Sequence, residues 1–185
     1  MGLLCGNTVD NNTNIVSHLI IPEQTGTSTG CETVDLDGEM DYSRVMERLD
    51  IKLIGLIHTH PGNTTSFLSS TDMHQLDLIS RSDPSAVSFV YSPRYTTNPA
   101  FTLTEVGKQI LNICPDKASN VLHQHPGIES EEMYKLADNI EFTNKKIRVL
   151  DLRSAPTRGR QGSRTRQQSK EILRQTSTRR TFNRD

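Results

Sequence analysis

Residues 51–58 form an almost unbroken apolar run that ends in the motif His58-Thr59-His60-Pro61. A continuous apolar run of this length predicts a strand buried on both faces, and the proline cannot extend it. Side chains two positions apart on a strand point to the same face, so His58 and His60 can reach a single ion. The motif therefore indicates a metal site at the end of a buried central strand.

Asp72 is the candidate third ligand, because it follows His60 after eleven residues and lies at the start of a predicted helix. Two imidazoles and one carboxylate leave a fourth position open for water, which is a ligand set of catalytic zinc. Zinc lowers the pKa of such a water to roughly 7 and supplies a nucleophile at neutral pH. A second interpretation stays open, in which the histidines are a surface strand feature and Asp72 belongs to a helix capping box with Ser69.

The rest of the chain alternates strand patterns with helix patterns, which predicts an α/β or α+β domain with a central sheet flanked by helices. Residues 23–40 predict a long loop, and residues 112–139 lack clear periodicity. Further strands are predicted at 15–21, 86–92, 101–103 and 146–152. Helices are predicted through Tyr42, Val45, Met46 and Leu49, from Ser69 or Ser70 to about Ser80 with Met73, Leu76 and Ile79 inward, and from a Thr104 cap through Leu111.

The run His58-Thr59-His60-Pro61 followed by Ser69-Ser70-Thr71-Asp72 resembles the JAMM motif of MPN-domain zinc metallopeptidases. Three more segments look like the AMSH deubiquitinases of that family, namely Gly2-Leu3-Leu4-Cys5-Gly6, Phe67 to His74 and Asp151-Leu152-Arg153. The resemblance implies the MPN (JAMM) fold, which is cytidine-deaminase-like. It divides the chain into an MPN domain over residues 1–152 and a tail over residues 153–185.

The resemblance implies a zinc-dependent deubiquitinase that hydrolyses isopeptide bonds in polyubiquitin, preferring chains linked through lysine sixty-three of ubiquitin. By position, His58, His60 and Asp72 would hold the catalytic zinc. Ser69 would donate a hydrogen bond to the developing oxyanion, a contact worth roughly 3 kcal/mol. Phe67, on the loop beside the metal, is a candidate substrate contact. The implied partners are polyubiquitin and endosomal sorting adaptors, in the cytoplasm and at endosomes.

A second ligand set consists of one cysteine and three histidines: His74, Cys114, His123 and His125. His74 cannot share an ion with Asp72, because helix positions two apart do not face each other. One thiolate and three imidazoles are enough for a closed structural zinc. From the residues alone, a buried thiol beside a polar loop is the simpler interpretation. The resemblance implies a second zinc that pins an insertion beside the cleft for the proximal ubiquitin, and it leaves His18 without a role.

Two features depart from the family pattern. The general base of the family is a glutamate three residues before the glycine that matches Gly2, which is two places before Met1. The domain is therefore expected to be truncated at its N-terminus. Without that glutamate the alternative function is a catalytically impaired MPN module that binds ubiquitin or a complex partner. The second departure is one extra residue between His60 and Asp72, in the polar loop Asn63-Thr64-Thr65-Ser66.

Charge is divided unevenly along the chain, which has 21 Lys and Arg against 22 Asp and Glu. Residues 153–185 hold ten of the basic residues and only two acidic ones, Glu171 and Asp185. This basic tail has too few large apolar residues to offset the entropy of ordering it, so it is predicted to be disordered. Its single aromatic residue, Phe182, does not favour stacking on nucleic-acid bases.

The three cysteines do not form a disulfide framework, and no signal peptide opens the chain. No apolar run is long enough to span a bilayer. Together these features predict a reducing, intracellular compartment, in which free thiols can bind metal.

Overall fold

The computed structural model describes residues 1–10, 13–26, 30–34, 41–60, 67–92, 98–116 and 121–153. The polar loop at 63–66 and the basic tail beyond Arg153 lie outside these residues, so the expectations for both remain predictions. The elements of the described chain are β1 Gly2–Thr8, β2 Asn14–Ile21, β3 Gln24–Gly26, β4 Cys31–Thr33, α1 Asp41–Leu49, β5 Lys52–Thr59, α2 Ser70–Ser80, β6 Val87–Tyr91, β7 Ala100–Leu103, α3 Glu105–Ile113, β8 Tyr134–Leu136 and β9 Arg148–Asp151.

One sheet of seven strands organises the described part of the chain, in the order β8-β7-β6-β5-β1-β2-β9. Its central strand, β5, pairs antiparallel with β1 and parallel with β6. The strands β3 and β4 form a separate hairpin. The predicted class, an α/β domain with a central sheet and flanking helices, is confirmed, and β5 is the buried strand expected at 51–58.

The helix α2 packs on the sheet through the three side chains expected to point inward. Met73, Leu76 and Ile79 are buried together with Leu56 of β5 and Val90 of β6. Burying a side chain of this size stabilises a fold by roughly 1.5–3 kcal/mol. This packing holds the first turn of α2 against the end of β5, where the candidate metal ligands lie.

The helix α1 contacts the same core through Val45, and its Met46 Sδ lies 3.6 Å from the Sγ of Cys5. All three cysteines are free, as expected. None of the helices in the described ranges is both long and apolar enough to cross a membrane.

Three strands in the first part of the chain, β1, β3 and β4, were not expected from the sequence. The prediction of one long loop over 23–40 is wrong where β3 pairs with β4, since strands of three residues are too short to show a period. The strand β1 also went unpredicted, because its apolar part is bounded by Gly2 and Gly6. The register of the β1–β2 pairing shifts between Cys5 and Gly6, and a Cβ atom at Gly6 would lie 1.9 Å from the carbonyl oxygen of Ile15. Glycine at this bulge allows two strands to approach closely.

Among the described residues of the stretch 112–139, Tyr134–Leu136 form a strand that the lack of periodicity concealed. This strand, β8, pairs with β7 at the edge of the sheet. The ring of Tyr134 packs edge-on against that of Phe101, with centroids 5.1 Å apart. At Gly107 of α3, a Cβ atom would lie 2.0 Å from the carbonyl oxygen of Met133. The close approach of α3 to the segment before β8 therefore requires glycine at position 107.

Candidate metal centres

The imidazoles of His58 and His60 meet at the carboxyl end of β5, as the strand period predicts. Their Nε2 atoms are 3.1 Å apart. The parallel ladder with β6 continues to Thr59, and the backbone N–H of His60 then donates to the carbonyl of Tyr91 over 2.8 Å. Two nitrogen lone pairs at this separation repel each other unless a proton or a cation lies between them. The pair is therefore held in a position that favours a bound cation.

The two carboxylate oxygens of Asp72 have different surroundings. Oδ2 accepts a hydrogen bond from the backbone N–H of Ser69 at 2.8 Å and another from the Ser69 hydroxyl at 2.6 Å. Together with the bond from Asp72 N–H to Ser69 Oγ, these contacts complete a capping box. Oδ1 lies 3.4 Å from Nε2 of His58. The capping interpretation and the metal interpretation are thus compatible, because Oδ2 caps α2 and lies 3.8 Å from Nε2 of His60, while Oδ1 makes no contact with the cap and lies nearer to an imidazole.

Burial alone would raise the pKa of Asp72, but the adjacent imidazoles of His58 and His60 and the hydrogen bond from Ser69 hold it well below its usual range. The carboxyl group is therefore ionised at neutral pH, as a metal ligand must be. In a tetrahedral zinc site with Zn–N distances of about 2.0–2.1 Å, neighbouring ligand atoms are about 3.3 Å apart. The separations of 3.1 Å and 3.4 Å fit such a site. We call these three residues the first cluster.

The second cluster consists of the four residues singled out in the sequence: His74, Cys114, His123 and His125. The Nε2 atom of His74 lies 3.2 Å from that of His123 and 3.3 Å from that of His125. The Sγ atom of Cys114 lies 3.4 Å from Nε2 of His123. With a Zn–S distance of about 2.3 Å, these separations are close to the edges of one tetrahedron. The four side chains fit a single structural zinc.

Two histidines of the second cluster, His74 and His125, are held toward the neutral form that a metal ligand requires. Burial lowers the pKa of His74, and the neighbouring His125 and His123 lower it further. Burial and His123 also lower the pKa of His125. Nδ1 of His123 lies 3.0 Å from the carbonyl oxygen of Val121, and a donor at Nδ1 leaves the lone pair of Nε2 free. The imidazoles of His74 and His125 therefore favour the neutral form that binds a metal, and Nε2 of His123 faces the same cluster.

The clusters are distinct, although both use α2. Asp72 belongs to the first and His74 to the second, as the helical geometry predicts. His18 lies on β2, where its Nδ1 is 2.8 Å from the hydroxyl of Ser17. It belongs to neither cluster, in agreement with the sequence analysis.

Phe67 and Ser69 lie beside the first cluster. The ring of Phe67 packs on that of His60 with centroids 5.0 Å apart, and 37% of the side chain remains exposed. Ser69 is the N-cap of α2. No individual role was predicted for the next two residues, Ser70 and Thr71. The hydroxyl of Ser70 accepts a hydrogen bond from the backbone of His123, and that of Thr71 lies 2.9 Å from Ser69 Oγ. The sequence did contain a signal for these two roles, because Ser69, Ser70 and Thr71 are three consecutive hydroxyl residues and a helix cap accounts for only one of them.

The chain is similar to proteins of one family. It matches the JAB family, described as JAB1/Mov34/MPN/PAD-1 ubiquitin protease, over residues 1–85. The AMSH-like protease of Homo sapiens is 32% identical over 152 residues, covering 82% of this chain and 33% of the relative. AMSH-like protease sst2 of Schizosaccharomyces pombe is 31% identical over 153 residues, with 82% and 33% covered. STAM-binding protein-like A of Danio rerio is 30% identical over 152 residues, with 82% and 34% covered.

The chain spans about a third of the length of these curated relatives. The family match runs from β1 through α2 and includes the whole first cluster together with Ser69. The resemblance drawn from the JAMM motif is therefore confirmed: residues 1–85 match the JAB1/Mov34/MPN/PAD-1 family, and AMSH-like proteases are among the relatives of the chain.

Proposed function

We propose that this domain is a zinc-dependent deubiquitinase that hydrolyses isopeptide bonds in polyubiquitin, with chains linked through lysine sixty-three of ubiquitin as its preferred substrate. The observation that carries the proposal is the convergence of His58, His60 and Asp72 at the end of β5, with the Ser69 hydroxyl bound to the same carboxylate. The family description names a ubiquitin protease, and several relatives are named as proteases. Both names support the proposal.

The first cluster would hold the catalytic zinc through two imidazole nitrogens and one carboxylate oxygen. Oδ2 of Asp72 already accepts two hydrogen bonds from Ser69, which leaves Oδ1, beside His58, to bind the ion. Zinc held by three protein ligands supplies Lewis acidity at an open position, where the pKa of a water falls to roughly 7. The cap thus fixes the orientation of a ligand as well as the start of α2.

Ser69 would stabilise the negative charge that develops on the carbonyl oxygen of the isopeptide bond. In the structure its hydroxyl donates to Asp72 over 2.6 Å, so the hydroxyl must rotate toward the substrate. The backbone N–H of Ser69 continues to hold the carboxylate during that rotation. One donor of this kind contributes roughly 3 kcal/mol of transition-state stabilisation.

Phe67 would form one wall of the substrate cleft. Its partly exposed ring packs on the imidazole of His60, so any substrate that reaches the first cluster passes close to it. An aromatic surface at this place suits the aliphatic part of a lysine whose amine is joined to ubiquitin. We propose that Phe67 contacts this part of the substrate.

The pairing of β1 with β5 indicates where a general base could act. Gly2 lies opposite Ile57, and Leu3 lies opposite Leu56. If the pairing continued for three more residues, the position two places before Met1 would lie opposite His60. Residues directly opposite in an antiparallel pair project to the same face. A glutamate at that position would therefore stand beside the first cluster, within reach of an attacking water.

The second cluster would hold a structural zinc. Its four side chains come from α2, the end of α3 and the irregular segment 121–125, so one ion would join three separate parts of the chain. A closed site with four protein ligands contributes folding free energy and leaves no position for water. We propose two zinc ions per domain, one catalytic and one structural.

Polyubiquitin is the proposed substrate, and the names of the STAM-binding relatives support an endosomal sorting adaptor as a further partner. The proposed location is the cytoplasm, including the surface of endosomes. No role in nucleic-acid binding is proposed for the domain.

The test is cleavage of defined di-ubiquitins, one for each linkage, by zinc-loaded protein. We expect cleavage to favour the lysine-sixty-three linkage, to stop on chelation and to return when zinc is added. His58→Ala and Asp72→Ala should abolish it, whereas His18→Ala is the matched control and should cleave normally, because His18 lies in neither cluster. Undiminished cleavage by His58→Ala would exclude the first cluster as the catalytic site.

A further inference from the structure

The segment that supplies His123 and His125 belongs to no helix or strand. Its imidazoles nevertheless lie within 3.2 Å and 3.3 Å of His74 Nε2. Three polar atoms of His123 have defined neighbours. Nδ1 faces the carbonyl of Val121, Nε2 faces the cluster, and the backbone N–H donates to the hydroxyl of Ser70 over 3.1 Å. The last of these bonds joins the irregular segment directly to α2.

Ser70 is well placed to orient the second cluster. It is the first residue of α2, and only 6% of it is exposed. Ser70 and His74 are four positions apart, so they lie on the same face of the helix, one turn from each other. Asp72 lies between them on a different face. The hydroxyl of Ser70 and the imidazole of His74 therefore contact the same segment, one through the backbone of His123 and the other through its ring.

We propose that Ser70 is a positioning residue for the second metal. Its buried hydroxyl fixes the backbone of His123, so that the rings of His123 and His74 present their Nε2 atoms to one ion. This inference rests on the structural zinc proposed above. Hydrogen bonds that orient metal ligands typically change metal affinity by 10- to 100-fold. Removal of the hydroxyl should weaken the second site by roughly 10-fold or more and leave the first site unchanged.

The experiment measures zinc release from the zinc-loaded full chain against a chromogenic chelator. Cys114→Ser identifies the release step of the second site, because that step disappears in the variant. Ser70→Ala should shift this step alone by roughly 10-fold or more, and Ser70→Thr, which keeps the hydroxyl, should restore it. Ser80→Ala is the matched control. Its hydroxyl donates to the backbone of Asp77 at the other end of α2, so both release steps should remain as in the unaltered protein.

A double-mutant comparison distinguishes positioning of the metal ligand from general support of the fold. Adding Ser70→Ala to Cys114→Ser should lower the unfolding temperature far less than adding it to the unaltered protein, because the site it serves is already lost. Should Ser70→Ala fail to fold, Ser70→Val, which has the shape of Ser70→Thr without the hydroxyl, gives the same release measurement.

The proposed role of Ser70 is wrong if Ser70→Ala lowers the unfolding temperature equally in both backgrounds. It is also wrong if both release steps are unchanged in Ser70→Ala while two zinc ions are bound. Binding of a single zinc by the unaltered protein, with no release step lost in Cys114→Ser, would instead overturn the structural zinc and this inference with it.

Discussion

The hydroxyl of Ser69 donates to Oδ2 of Asp72 over 2.6 Å, while Oδ1 of the same carboxylate lies 3.4 Å from Nε2 of His58. A capping contact of α2 therefore also holds a candidate metal ligand. Because the same hydroxyl is the proposed oxyanion donor, a change at Ser69 acts on the helix, on the carboxylate and on the reaction together. Variants that separate these effects are the most informative ones.

We expect Ser69→Ala to lower the unfolding free energy by about 1 kcal/mol, through loss of the cap, and to lower kcat by about 100- to 1,000-fold. Ser69→Thr keeps a hydroxyl that can cap the helix and donate to the oxyanion, so most of the unfolding free energy and most of kcat should be retained. The measurements are thermal unfolding, zinc content and di-ubiquitin cleavage. A full rate in Ser69→Ala with normal zinc content would remove Ser69 from the mechanism.

Metal analysis should find about two zinc ions per chain, one for each cluster. Cys114→Ala or His123→Ala should lower this number toward one and destabilise the domain, because a structural zinc contributes folding free energy. Cys31→Ala is the matched control, since this cysteine lies outside both clusters and bonds to Gln24. A single zinc in the unaltered protein that Cys114→Ala leaves in place would rule out the second site.

The strongest local patterns predicted most of the fold. The apolar run of β5 and the stripe of Met73, Leu76 and Ile79 are long enough to show their periods, and the structure has a strand and a helix there. The strands β3, β4 and β8 have three residues each, too few to show a period, and they form through pairing, β3 with β4 in a hairpin and β8 with the more distant β7. No local pattern specifies such pairing, so the sequence did not reveal these strands.

The first cluster was predictable because His58 and His60 are fixed by the strand period and Asp72 lies one loop away. The second cluster required the resemblance, since Cys114 and His125 reach His74 only through tertiary folding. The bond from His123 to Ser70 spans 53 positions in the sequence. A contact of this kind follows from the path of the chain, and residue types alone did not indicate it.

Asp83 is a buried carboxylate that joins three parts of the chain. It lies 2.8 Å from Lys52 Nζ and accepts hydrogen bonds from Asn14 Nδ2 and from the Ser85 hydroxyl, each at 2.7 Å. Burial alone would raise its pKa, but the bonds to Lys52 and Ser85 lower it below the usual range. We expect Asp83→Asn to lower the unfolding free energy by about 1–3 kcal/mol near pH 7.

The loss of unfolding free energy in Asp83→Asn should become smaller as the pH falls. Because folding lowers the pKa of Asp83, its stabilisation is complete above the unfolded pKa of about 3.9 and is lost as pH falls through the folded pKa. The difference between the two proteins should therefore shrink in acid, and taking the difference cancels any loss of zinc common to both. Asp138→Asn is the control, since that side chain is exposed and 3.6 Å from Lys135. A difference that stays constant down to strong acid would contradict the ionised network.

A glutamate upstream of Met1 should supply the general base. The β1–β5 register, with Gly2 opposite Ile57, would bring the position two places before Met1 opposite His60. We expect a chain extended upstream with glutamate at that position to cleave di-ubiquitin roughly 100-fold or more faster than residues 1–185 alone, the scale of one general base. The matched control carries glutamine there, which has the same shape and cannot accept the proton.

All three proteins should bind the same amount of zinc, because the ligands of both clusters lie within residues 58–125. A difference in rate between the glutamate and glutamine forms would then report proton transfer rather than metal loss. It should appear in kcat more than in KM, since a base acts in the transition state and adds little to substrate binding. Equal rates in the two forms would mean that another residue serves as the base and that the β1–β5 pairing does not continue upstream of Met1 in the same register. Absence of cleavage in all three, with zinc bound and ubiquitin still retained, would indicate that the domain is a binding module.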